Sequence, residues 1–329
     1  MKLSVAMCTH NGAEYIRDQL DSILSQALPI SEIVICDDDS EDDTLGIIEE
    51  YKTDYQDTDW KIYRNRPALG VTSNFEKAIS LCTGDIIFTS DQDDVWYEKK
   101  VSRMIQAFEE NPKAVLVFCN ADVTEADTTM IRGEFWKTIP FDETQRNKFL
   151  TGDVYDVLRR HNVVTGAMMA MKRDFALQCM PFPKGGMLHD DWLALCAPVY
   201  GGIVPVDERL IAYRQHGNNE VGAGLYQHAV RWLKNARKRK PWAHAVERSM
   251  CFYETYRERL TEEDNKQFFS WYQFNLKRDR MSDSGLFASL GFLFLNLING
   301  EYRKNVCPFL ATWVQDFIYI FLTKTGRDE

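Results

Sequence analysis

The sequence predicts an α/β protein built on a mostly parallel sheet and extended at its C-terminus by helices. Three observations carry that prediction. Over roughly the first 120 residues, short apolar β-rich runs alternate with helix-period segments, the pattern of a parallel sheet covered by helices. Two of those runs release clusters of aspartates where the strand must end. Beyond residue 225 only helical periodicity remains.

Leu3 to Cys8 reads as the first strand, broken by Thr9-His10-Asn11-Gly12. A helix follows with Tyr15, Ile16, Leu20, Ile23 and Leu24 on one face. No G-x-G-x-x-G or Walker A pattern occurs, which weighs against a dinucleotide dehydrogenase or a P-loop enzyme. Ile33-Val34-Ile35-Cys36 is a second buried strand ending in Asp37-Asp38-Asp39-Ser40. Capping the next helix needs one of these residues, which leaves others for a ligand. Lys61 to Arg64 is a third strand, Asn65 to Gly70 a turn, and Asn74-Phe75 opens a helix through Leu81.

The strand from Asp85 to Thr89 delivers the most informative stretch, Ser90-Asp91-Gln92-Asp93-Asp94-Val95-Trp96. Carboxylates packed this closely repel, and a divalent metal is the usual resolution; a solvated acidic loop is the bland reading. A strand-end loop is where ligand sites of α/β proteins lie. A helix from about Glu98 to Glu110 and a strand Val115 to Cys119 complete the alternation. Residues 125–160 read as irregular, and Val163 to Met171 as an apolar strand interrupted by Gly166. Asp190 and Asp191 open a helix through Trp192 to Cys196; one acid suffices for a cap, and the other is free to act as a base. A strand region then ends in Tyr213-Arg214-Gln215-His216-Gly217-Asn218-Asn219, which puts His216 among phosphate- or metal-binding residue types.

Net charge is −10, which argues against a nucleic-acid binder. The balance is uneven: residues 225–329 carry 17 Lys/Arg against 12 Asp/Glu. A basic, aromatic segment at Trp232 to Trp242 adds to a case for membrane-surface contact through 225–329. Leu286 to Ile298 and Phe309 to Leu322 are apolar but shorter than the roughly 20 residues of a spanning helix, and Asp316 interrupts the second. They read either as helices buried in a small bundle or as an interfacial pair, and exposed aromatic helices also suit a homodimer. The eight cysteines include no C-x-x-C pair and read as buried thiols of a reducing compartment. The first residues show no signal-peptide pattern, so a cytoplasmic location, peripheral on the inner face of the plasma membrane, is expected.

With those residues in place, the chain resembles the family-2 inverting glycosyltransferases of GT-A fold, most of all the bacterial branch that includes rhamnosyltransferases of surface-polysaccharide assembly. The likeness rests on five pieces: Thr9-His10-Asn11-Gly12, Asp37-Asp38-Asp39-Ser40, Ser90 to Trp96, His189-Asp190 and Tyr213 to Asn219. It covers about residues 1–224, taken as the GT-A domain with its Rossmann-like, nucleotide-binding sheet; 225–329 is a separate helical region. It implies that Cys8, Thr9, His10, Asn11 and Glu14 lie against the nucleotide. Asp38 would accept the N3 hydrogen of uracil or thymine, and Asn74, Ser90, Asp91 and Gln92 would complete the nucleotide-sugar site. Asp91-Gln92-Asp93 would be the D-x-D motif, with Asp93, Asp91 and His216 at an Mn²⁺ or Mg²⁺ ion. Asp190 fits the base position, with Asp191 the competing acid and His189 standing where the family has Glu. Asp39 departs from the family's Gly in a tight turn.

The implied activity is metal-dependent transfer of a sugar from a nucleotide-diphosphate donor to a glycan or polyprenyl-linked acceptor. A dTDP-rhamnose donor is favoured and a UDP-sugar comes next. The rival is a non-catalytic protein that binds nucleotide-sugar or glycan as a scaffold. Joint presence of Asp38, Asp93 and Asp190 favours the enzyme. A glycosidase would instead place two carboxylates about the bond and has no use for the nucleotide-type half.

Overall fold

In the computed structural model, the described residues are 1–128, 130–184, 187–216, 240 and 242–325. In chain order they form β1 (Leu3–Thr9), α1 (Ile16–Leu24), β2 (Glu32–Asp37), α2 (Thr44–Asp54), β3 (Asp59–Arg64), α3 (Val71–Leu81), β4 (Ile86–Ser90) and β5 (Val95–Trp96). Next come α4 (Lys100–Glu110), β6 (Leu116–Thr124), β7 (Ile131–Glu134), α5 (Glu143–Thr151), α6 (Tyr155–Leu158), β8 (Met169–Lys172), α7 (Arg173–Gln178), α8 (His189–Tyr200) and β9 (Ile203–Arg214). The C-terminal helices are α9 (Ala243–Tyr256), α10 (Glu262–Met281), α11 (Leu286–Ile298), α12 (Glu301–Asn305) and α13 (Phe309–Thr325). Two compact units result, and α6 belongs to the second, with the C-terminal helices.

The first unit is one sheet in the order β3-β2-β1-β4-β8-β6-β9-β5, with β7 added to β6. β3, β2, β1 and β4 run parallel, in the register Val5 opposite Ile33 and Phe88. That parallel half explains the near-continuous apolar runs of its central strands: β1, β2 and β4 are covered on both faces, so no polar alternation survives. β8 runs antiparallel between β4 and β6, whereas β6 and β9 are parallel, so the sheet is mixed though mostly parallel.

Two expectations are corrected. Residues 125–160 are ordered into β7, α5, α6 and a 3₁₀ turn at Phe135–Lys137. α5 buries only Phe149, so it shows no apolar period; its ends are marked instead by Asp142, which accepts a hydrogen bond from Gln145 N at 2.9 Å, and by Gly152 at φ 88°. Likewise Val163 to Met171 is not one strand. Gly166–Met168 is a 3₁₀ turn, and the strand is confined to Met169–Lys172. All of the run but Thr165 is buried, and burial makes a turn as apolar as a strand. Gly217 to Asn219 and most of the Trp232–Trp242 segment lie outside the described residues.

The second unit packs Trp242, Phe274, Met281, Leu293, Tyr302, Val306 and Ile320 into its own core. Asp316 lies inside it and is fully buried. Arg278 donates to both its oxygens at 2.8 Å, and the Tyr302 hydroxyl donates at 2.6 Å. No described helix is long and apolar enough to cross a membrane.

Candidate active site

Parallel strands β1, β2 and β4 end side by side, so the loops after Thr9, Asp37 and Ser90 share one edge of the sheet. The aspartates after β2 divide their work. Asp37 accepts from Thr9 Oγ1 at 2.8 Å and from Ser40 N at 2.9 Å, which ties the two loops together. Asp38 accepts from Leu69 N, Gly70 N and Asn65 Nδ2 at 2.7–2.8 Å and so draws in the loop before α3. Asp39 sits at φ 66°, a conformation that favours glycine, and ion-pairs with Arg64 at 3.2 Å.

The loop after β1 is built on backbone. Asn11 N donates to Ser40 Oγ and Gly12 N to Thr44 Oγ1, while His10 Nδ1 donates to the Asp38 carbonyl at 2.7 Å. Gln92 pairs with both backbone groups of His10, accepting from its N–H at 2.8 Å and donating to its carbonyl at 2.9 Å. A Cβ on Gly12 would come within 2.1 Å of Gln92 Oε1, so glycine is what admits that side chain. Glu14 is exposed, and Cys8 is half-buried with its thiol pushed up by burial and by the neighbouring Cys36 and Asp91.

Of the residues expected at the nucleotide-sugar, Asn74 and Ser90 are buried in structural positions. Asn74 donates to the Cys36 carbonyl and accepts from Asn65, both at 2.8 Å. Ser90 Oγ accepts from Gln19 and donates to the Asp91 carbonyl. Asp91, Gln92 and Asp93 are half-exposed at the loop surface. His216 Nε2 donates to Asp93 Oδ2 at 2.8 Å, with its ring stacked on Tyr15 at 4.6 Å. Asp94 turns inward: Arg214 N donates to Oδ1 at 3.0 Å, and buried Oδ2 has no partner among the described residues. Burial, then the charges of Asp93 and Asp91, hold the Asp94 carboxyl well above its ordinary range. No three His, Cys, Asp or Glu side chains converge as a metal cage among the described residues.

Asp190 stands at the start of α8, 7% exposed. Its oxygens accept from Gly166 N at 3.1 Å and Asp191 N at 2.7 Å. Burial and the adjacent Asp191 push its carboxyl up to about 7. His189 is buried against Phe75, ring centroids 3.9 Å apart, and burial drives its imidazole down to about 3. A Cβ at Gly166 would sit 2.7 Å from His189 Nε2, so this glycine makes room for the ring. Burial first, then the charges of Asp94, Asp91, Asp93 and Asp190, raise the Tyr213 phenol.

Reading the sequence missed the side chains behind Asp190. Fully buried Lys100 donates to the Ala167 carbonyl at 2.8 Å and lies 3.7 Å from the Trp96 ring centre. Thr89 Oγ1 donates to the Gly166 carbonyl. Together they pin both peptides of the turn whose Gly166 N–H holds the acid. The available signal was Lys100 itself, a cation at the start of α4 on the face that also carries Val101 and Met104.

The chain is similar to known glycosyltransferases in sequence and in fold. The glycosyl transferase family 2 model matches residues 4–176. The dTDP-rhamnosyl transferase RfbG of Shigella flexneri is 30% identical over 234 residues, 67% of this chain and 74% of that protein. An uncharacterized glycosyltransferase of Nostoc sp. is 27% identical over 229 residues, 68% of either chain. Among solved structures, S. aureus TarS 1-349 in complex with UDP-GlcNAc superposes with a TM-score of 0.58 at 14% identity, over 98% of this chain and 82% of that one. Mannosyltransferase PcManGT from Pyrobaculum calidifontis, in complex with GDP-Man and Mn²⁺, gives 0.54 at 17% identity, over 100% of this chain and 88% of that one. The chain belongs to glycosyl transferase family 2. It is a glycosyltransferase of GT-A fold.

Proposed function

We propose that this glycosyltransferase inverts the anomeric centre, taking a sugar from a nucleotide-diphosphate donor, dTDP-rhamnose before a UDP-sugar, to a glycan or polyprenyl-linked acceptor in bacterial surface-polysaccharide synthesis. The observation that carries the reading is Asp190. It is a buried carboxylate held near neutrality and aimed by two backbone N–H groups. A base of that strength is half-ionised at neutral pH and suits removal of a proton from an acceptor hydroxyl as its oxygen attacks the sugar. Asp191, next to it and also buried, raises the proton affinity of Asp190 and is the competing base. The dTDP-rhamnose preference rests on the Shigella relative.

The strand-end loops would hold the donor. The backbone of Thr9 to Asn11 and the carboxylate of Asp38 would face the base, and Asp91 the ribose or sugar. Asp93 and His216, one carboxylate and one imidazole, would hold an Mn²⁺ or Mg²⁺ ion, with Asp91 as a further carboxylate ligand. Such an ion would offset the charge growing on the departing diphosphate. Work on a polyprenyl-linked acceptor places the chain at the inner face of the plasma membrane.

The test is a thermal-shift panel of dTDP, UDP, GDP and CDP, each with and without Mn²⁺. Ligand at about 100 times its Kd stabilises the native state by ~2.7 kcal/mol. A dTDP shift that needs Mn²⁺ and disappears in Asp93→Asn is expected. Absence of any nucleotide shift would overturn the donor assignment.

A further inference from the structure

The outward face of α11 and α13 is apolar, and the position of Asp316 makes it so. Read along the chain, that aspartate breaks the hydrophobic run of α13. In the fold it points inward, neutralised by Arg278 and Tyr302. Solvent instead meets Phe287, Leu295 and Ile298 at i, i+8 and i+11 on α11, and Leu310, Val314 and Phe321 at i, i+4 and i+11 on α13. Phe287 is 88% and Ile298 78% exposed. The two stripes adjoin, since Phe294 of α11 packs edge-on against Trp313 of α13 at 5.4 Å. A continuous exposed apolar surface on two helices is a docking surface rather than ordinary scatter.

The charges say what docks. Between residues 284 and 325 the exposed charged side chains are Arg303, Lys304 and Lys324, all positive. Asp316 is buried, and half-buried Glu301 accepts from Asn305. We propose that this face lies on an anionic bilayer, its apolar stripes entering the headgroup–acyl boundary and Arg303, Lys304 and Lys324 meeting lipid phosphate. Anionic lipid supplies the charge opposite to Arg303, Lys304 and Lys324, which a second copy of the same surface does not. The inference does not depend on the catalytic reading, because lipid binding is measured without donor or acceptor.

The experiment is co-sedimentation of the full chain with sucrose-loaded vesicles of phosphatidylcholine alone or mixed with phosphatidylglycerol. Binding to mixed vesicles at low salt is expected, weaker on phosphatidylcholine alone. Phe287→Ser with Ile298→Ser should cut the partition coefficient by at least about tenfold with an unchanged melting temperature, since neither side chain is packed. Arg303→Glu with Lys304→Glu should abolish the preference for phosphatidylglycerol. Wild-type protein left in the supernatant at low salt would overturn the proposal, with no variant needed. So would a dimer in sedimentation velocity that Phe287→Ser with Ile298→Ser dissociates while vesicle binding stays unchanged.

Discussion

Glu32 and Asp190 are both buried carboxylates of the first unit, and they are treated in opposite ways. Glu32 begins β2 and is ringed by donors: Lys61 Nζ at 2.5 Å, Thr83 N and Oγ1 at 2.7 Å, and Ser4 Oγ. Burial alone would raise its carboxyl; hydrogen bonds from Lys61, Ser4 and Thr83 more than reverse that and hold it at about 2. Among the described residues Asp190 receives two backbone N–H groups and no cation, so burial and Asp191 win and its carboxyl rises to about 7. One acid is a permanently charged rivet between strands. The other keeps a proton affinity useful at neutral pH, and the difference lies in the donors supplied to each, since both are buried.

The largest effect that would sharpen this contrast is on transfer. Asp190→Asn should lower kcat by roughly 10²–10⁴-fold while leaving donor binding intact. In the wild type, kcat should fall below a limb near pH 7, as the base takes up its proton. The same substitution should raise the melting temperature at pH 8. The native carboxyl lies above its ordinary 3.8, so stability falls as pH rises toward 7, and the amide escapes that loss. Wild-type turnover in both Asp190→Asn and Asp191→Asn would break the comparison.

Glu32→Ala should do the reverse, costing about 3 kcal/mol of stability with little change in kcat of the folded fraction. The native carboxyl lies below its ordinary 4.5, so its contribution is complete above pH 4.5 and is lost as pH falls toward 2. Urea melts at pH 7 and pH 3 check this: the gap between variant and wild type should narrow in acid. Smallest is Lys100→Met, which keeps the volume but frees the Ala167 carbonyl. A drop of about tenfold in kcat with donor KM unchanged is expected from loosening the turn that aims Asp190. In an Asp190→Asn background the substitution should cost nothing further; an undiminished effect there would mean that Lys100 acts elsewhere.

The strands of the parallel half were legible because burial on both faces leaves unbroken β-rich runs, and the acids after them could be placed at strand ends on that basis alone. How Asp37, Asp38 and Asp39 share their tasks was not legible. Identical side chains one residue apart differ only in which donors the fold brings to them. α5 escaped notice because a helix that buries one residue has no apolar period, although its caps were in plain sight. Lys100 escaped because a lysine in an amphipathic helix normally faces water, and its partner Ala167 is 67 residues away. The inward direction of Asp316 was hidden for the same reason: hydropathy along a chain counts a charge without knowing which way it faces.

Gln92 joins two of the loops described above, since its amide grips both the N–H and the carbonyl of His10 while Asp93 beside it holds His216. Two hydrogen bonds from one amide therefore tie the segment after β1 to the segment after β4. A ligand that orders either has already met part of the entropic cost of ordering the other. By reciprocity, any tightening that a nucleotide at the first segment would confer on the proposed cation at the second, the cation would return in equal measure. Such a coupling would run through a single primary amide, seated over a residue with no side chain.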